Sequence, residues 1–320
     1  MIIDINNIKE AKIVNSMILL QDKRIAVVSY DKTLKIFNPS SNYKCDLSIT
    51  EEEQSYNICQ ILNGNIITTG GDDTRYINIY TEDSMKEKKA KYVLKNKHNF
   101  YISYLLSLSD GSFLTNSQED IFFWKCEEPF SEKPYKTIKE QTEIFGLLEV
   151  KGKNNCLVAI GANYDKTRIF SLKTYQIEKT ITGMKGSVLR QLDEERIVIG
   201  GNLEIFIANI VTTKIEKIIK GRDIGYSYAL VIINKDFFIC SCSLKGKVIL
   251  FDKTKDKYIS VQSPHKQSLR NMIKLDDGTI VSSGMNVNGF RVWSYQWKEE
   301  ENKEKKDTKL LQKKTKRTKK

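Results

Sequence analysis

Residues 29–40 read SYDKTLKIFNPS: a polar turn at Asp31 and Lys32, a short run in which Leu34 and Ile36 alternate with Lys35, a bulky stop at Phe37, and a turn at Asn38-Pro39. Alternation over so few residues marks a β-strand with a packed face, and Asn-Pro marks its end. The same order of events returns six more times. The counterparts of TLKIFN are YINIYT, IFFWKC, TRIFSL, EIFIAN, KVILFD and FRVWSY, and the seven closing anchors are Phe37, Tyr80, Trp124, Phe170, Ala208, Phe251 and Trp293. Consecutive anchors stand 38 to 46 residues apart. The mean of about 43 is the length that one four-stranded propeller blade takes.

Three further strands surround each anchor run. An earlier one begins at Asn15, Tyr56, Ser103, Phe145, Val188, Ser227 and Arg270, and runs into an Asn-, Asp-, Gly- or Lys-rich turn. A second follows at once, as in RIAVVSY, NIITTGG and RIVIGGN, and a more polar fourth closes most units, as in YKCDLSI and KIEKIIK. The seventh unit has no fourth strand of its own. IIDINNI (residues 2–8) precedes the first unit with nothing else to pair with, so it fills the gap and removes the exposed edges of an open ring. The expected fold is all-β: a seven-bladed β-propeller closed by the N-terminal strand in the last blade. It spans residues 1–297, with 298–320 a charged, basic, disordered appendage. A pair of β-sandwiches or an irregular all-β protein is the competing arrangement; helices are disfavoured because three-four apolar spacing is absent.

This pattern resembles the WD-repeat β-propeller family over residues 1–297. SYDKTLKIFNPS is the best match, with Asp31 six residues before Phe37, the spacing of the family's turn aspartate to its tryptophan. GGDDTRYINIY, IFFWKC and GTIVSSGMNVNGFRVWSY are similar, whereas Asn202 and Lys245 replace the aspartate in units five and six. His98 and His265 stand where the family has its histidine; the other units lack one. The resemblance implies that loss of that His–Asp network leaves the blades held mainly by strand ladders and apolar packing. It also implies a non-enzymatic scaffold for protein or peptide partners, within a multi-subunit complex or alone.

Composition narrows the classes further. No stretch approaches the roughly 18 apolar residues of a membrane helix, so no membrane insertion is expected. The start of the chain has no basic leader and apolar core of a secretory signal. Six scattered cysteines lack CxxC spacing, and Cys240 and Cys242 fall on one face of one strand. Together these point to a reducing compartment, cytoplasm or nucleus. The net charge of +12 is concentrated toward the end, where residues 298–320 hold eleven Lys or Arg against five Asp or Glu. Within it Lys313, Lys314, Lys316, Arg317, Lys319 and Lys320 form a cluster of the kind that serves nuclear import or sequence-blind RNA contact.

Chemistry is hard to assemble from the remainder. There is no GxSxG elbow and no Gly-rich phosphate loop. Asp72 and Asp73 sit in a turn where Gly and Asp are expected for backbone reasons. No cofactor and no metal are expected, and the Phe-Arg-Arg-Gly motif of phosphoinositide-binding propellers is missing. The repeat alignment instead collects one face around a channel mouth: Tyr30, Asp72, Ser117, Tyr164 and Asn286 from turns, and Tyr56, Tyr104, Tyr228, Arg270 and Asn271 from inner-strand starts. Tyrosines with an arginine are the composition of interaction hot spots. The alternative is a ribonucleoprotein or ribosome-assembly factor that touches RNA through the basic end and through Lys86, Lys88, Lys89, Lys91, Lys95 and Lys97.

Overall fold

Because side chains alternate along a strand, each third strand of the repeat has two packing faces, and the bulky anchor commits one of them. The computed structural model describes residues 2–70, 75–95, 98, 100–140, 143–152, 155–161, 165–242 and 246–296. Its strands form five four-stranded antiparallel sheets and one seven-stranded sheet. The larger sheet is two blades sharing one long strand, Ile2–Leu19. The first half of that strand pairs with Asn288–Tyr295, from Ile2 opposite Tyr295 to Ile8 opposite Phe290. Its second half, Val14 to Leu19, pairs with Ile25–Ser29 and is the inner strand of blade 1. The count is seven blades, with the chain's beginning serving as the outer strand of the last.

Packing closes the circle. The innermost strands Ser55–Gln60, Tyr104–Ser107, Ile144–Val150, Val188–Gln191, Leu230–Ile232 and Leu269–Lys274 each touch the next, and the last touches Ile2–Leu19. Seven buried apolar clusters occupy the seven junctions. Every anchor faces the preceding blade: Phe37 packs with Phe290 of blade 7, Tyr80 with Leu34 of blade 1, and Trp293 with Leu250 of blade 6. Ala208 is the exception in size but not in place; Phe206 and Met184 fill the volume beside it. Cys240 and Cys242 lie together in the junction between blades 5 and 6. Burial raises the Cys240 thiol to about 12, which keeps it protonated and unreactive.

The polar network is present where the two histidines stand, and the departure from expectation is its replacement by carboxylates in blades 2 and 4. In blades 3 and 7 a three-part relay is intact. Trp124 Nε1 donates to Thr115 Oγ1 at 2.9 Å, and His98 Nε2 lies 2.9 Å from the same hydroxyl. Trp293 Nε1 donates to Ser282 Oγ at 2.8 Å, with His265 Nε2 at 3.0 Å. In blade 2 an acid stands in for the histidine: Glu51 Oε1 accepts from Thr68 Oγ1 (2.6 Å), Asn78 Nδ2 (3.1 Å) and Tyr80 Oη (2.9 Å). In blade 4, buried Glu140 pairs with Arg168. The network is rebuilt with other residue types because a carboxylate accepts several donors where an imidazole offers only two nitrogens.

Candidate interaction surface at the channel mouth

Where the inner strands begin, their ladders slip. Register shifts leave Asn15, Tyr56, Phe145 and Arg270 as extra residues in blades 1, 2, 4 and 7. A β-bulge re-aims the side chain it inserts, and all four line the cavity at the ring's centre. Blade 6 reaches a similar end differently. Its inner strand is only Leu230–Ile232 because the N–H groups of Tyr228 and Ala229 donate to Ser241 Oγ, at 3.0 and 2.9 Å.

The cavity, about 1180 Å³, is walled by the inner strands of six blades and, in blade 6, by Tyr228 and Ala229 just before the inner strand. Tyr56, Phe100, Tyr101, Tyr104, Phe145 and Tyr228 bring aromatic surface to it, and Phe100, Tyr101, Phe145 and Tyr228 are 46%, 50%, 36% and 40% exposed. Tyr226 stacks on Tyr228 with ring centroids 6.4 Å apart. Arginines Arg75, Arg190 and Arg270 also line the wall, against one carboxylate among the described residues, Glu143. Burial holds the Arg270 guanidinium below its ordinary range, opposed by the Tyr56 hydroxyl.

Side chains clasp neighbouring inner strands near this opening. Asn271 Nδ2 donates to Asn15 O (3.2 Å), Asn15 Nδ2 to Ser55 O (2.9 Å), Asn57 Nδ2 to Ile102 O (3.0 Å) and Ser187 Oγ to Ser227 O (2.6 Å). These bonds fix the positions of the residues that bear the aromatic rim.

Of the residues collected from the sequence, Tyr56, Tyr104, Tyr228, Arg270 and Asn271 line the cavity. Asn271 spends its amide on the clasp. Tyr30 (62% exposed) and Asn286 are exposed on turns outside the cavity wall. Ser117 is buried, its hydroxyl donating to Phe100 O at 2.9 Å, so it supports a rim residue and presents nothing itself. Asp72, Tyr164 and the basic cluster Lys313 to Lys320 lie outside the described residues. Sequence reading missed Phe100, Tyr101, Phe145, Arg75 and Arg190. Phe145 had a signal, since it opens the inner-strand run aligned with Tyr56; the others stand in connections or mid-strand, where the repeat says nothing of direction.

Among the described residues no group of three or more His, Cys, Asp or Glu could hold a metal ion, and no helix is long and apolar enough to cross a membrane. Lys86 pairs with Glu82 and Asp83, and Lys89 with Glu87, so part of the lysine-rich stretch is neutralised locally.

The chain is similar in structure to the WD40 beta propeller domain of Doa1, known from a crystal structure. The TM-score is 0.73 at 17% sequence identity, covering 92% of this chain and 97% of that one. At that identity the likeness carries the fold alone. No protein-family model matches the chain, and the search of curated proteins gave no match.

Proposed function

From a seven-bladed ring with the WD40 propeller fold, a fold that generally mediates protein–protein interaction, we propose that this chain is a non-enzymatic platform capturing extended partner segments across the channel mouth. One observation supports the reading most: bulged inner strands turn aromatic and arginine side chains from different blades into a single opening. Partly exposed aromatics in a rigid frame gain contact area at little cost in conformational entropy. The volume exceeds the roughly 300–1,000 Å³ of small-molecule pockets, which favours a peptide over a metabolite.

Replacing Tyr104, Tyr228 and Arg270 together tests this. Affinity capture with mass spectrometry from the triple variant loses the partners taken by the native chain, while circular dichroism and thermal unfolding stay native-like. Unchanged capture by the folded variant contradicts the proposal. The basic end, residues 298–320, is proposed as a separate targeting element; deleting Lys313–Lys320 redistributes the protein between nucleus and cytoplasm without altering that capture.

A further inference from the structure

Arginine geometry at the mouth says more about the partner than the aromatic rim does. Arg75 Nη1 donates to His98 O at 2.8 Å, and its Nε is buried without a hydrogen-bond partner. Arg190 Nη1 donates to Leu189 O at 2.8 Å. Each therefore spends a donor on a backbone carbonyl, and among the described residues no ion pair involves Arg75, Arg190 or Arg270. Of the other described arginines, Arg24, Arg168, Arg196 and Arg291 are paired with carboxylates and Arg222 is not. Glu143, the one acidic residue among the described residues of the wall, receives a long 3.4 Å hydrogen bond from Tyr101 Oη.

Resting on the reading that the mouth binds peptide, we infer that the segment it takes is acidic, presenting Asp or Glu carboxylates to Arg270, Arg75 and Arg190. A guanidinium offers five donors in a planar fork that matches a carboxylate bidentately. Two such forks, at Arg270 and Arg190, together with the Arg75 charge on a wall with one carboxylate among the described residues, select against basic segments by like-charge repulsion, so charge sets specificity while the aromatic rim supplies area. The bulge at Arg270 has a role in this: in an unbroken ladder the side chain after Leu269 would alternate toward a blade junction, and the register shift re-aims it.

The test pans a random, end-blocked decapeptide library against the full-length chain at physiological salt, in parallel with its Arg270→Gln, Arg270→Lys and Tyr104→Ala/Tyr228→Ala variants. The basic end is common to all of these, so differences report the mouth alone. The expected result is strong Asp and Glu enrichment on the native chain. Fluorescence anisotropy of the selected peptides then shows a loss of about ten-fold or more with Arg270→Gln, the size of a charge-assisted hydrogen-bond pair. Arg270→Lys gives a smaller loss, since charge is kept and the fork is not. Peptides that depend on the tyrosines but show no acidic enrichment overturn the charge inference and leave the mouth reading intact. Peptides indifferent to every variant, or none retained, overturn both. A fluorescein-labelled oligo(dT) 15-mer that binds more tightly than the peptides, and loses binding with Arg270→Gln, overturns the inference in favour of nucleic acid.

Discussion

At His98 and His265, burial pushes the imidazole pKa down to about 4, with the nearby Arg75 charge adding to the effect at His98. His265 Nε2 donates to the Ser282 carbonyl at 2.9 Å, which fixes the proton on Nε2 and leaves Nδ1 buried and unpartnered. A proton added at Nδ1 would bury an unpaired cationic donor. In the unfolded chain both histidines titrate near 6.5, so between about pH 6.5 and 4 the unfolded state binds more protons and stability falls as pH falls. The full loss, reached near pH 4, is on the order of 3 kcal/mol per histidine. Urea denaturation at pH 7.5 and 4.5 measures it; the His98→Asn/His265→Asn variant shows a distinctly shallower pH dependence than the native chain. Glu51 gives a second residue-level outcome. Glu51→Ala strands the hydroxyls of Thr68 and Tyr80 and the Asn78 amide and costs about 3 kcal/mol in urea unfolding. Glu51→Gln keeps an acceptor and costs less than half of that.

Between elements, the energetic unit is the blade junction. Trp293 is fully buried among Leu250, Leu269 and Ile280, so Trp293→Ala lowers stability by about 3–5 kcal/mol in chemical denaturation. Ala208→Leu does the opposite kind of harm: its junction is already filled by Phe206, Met184 and Ile210, and overpacking costs about 1–3 kcal/mol in the same assay. These junctions are why the architecture was legible in the sequence. Each anchor must be buried by the previous copy, so it recurs at the blade period, and the unpaired strand at residues 2–8 had one place to go. The site was legible only in part. Tyr56 and Arg270 were found because they open their inner strands, yet the bulges that aim them are register events without a residue-type signature. Ser117 and Asn271 read as surface groups from their positions, but their hydrogen bonds to Phe100 and Asn15 turn them into supports. The same is true of the relay: Glu51 stands before its inner strand as His98 does before the next, and only the contacts to Thr68 and Tyr80 reveal the equivalence.

For the molecule as a whole, the channel exists because the ring is closed, and closure depends on one strand serving two blades. Ile2–Leu19 runs from the outer edge of blade 7 to the inner wall of blade 1, where Asn15 enters the clasp of the mouth. An ion pair between Asp4 and Arg291 adds to the seam, and Gly289 is required beside it, because a Cβ there would lie 1.8 Å from Ile8 O. A closed ring transmits the loss of any one junction to its neighbours, whereas an open one frays from its ends. Native-state hydrogen–deuterium exchange read by mass spectrometry distinguishes these directly. The amides of residues 2–8 should be protected together with those of Asn288–Tyr295 and exchange only as the ring opens. Exchange of residues 2–8 at the rate of a free chain, with blades 1 to 6 still protected, would contradict the closed propeller and the mouth built on it.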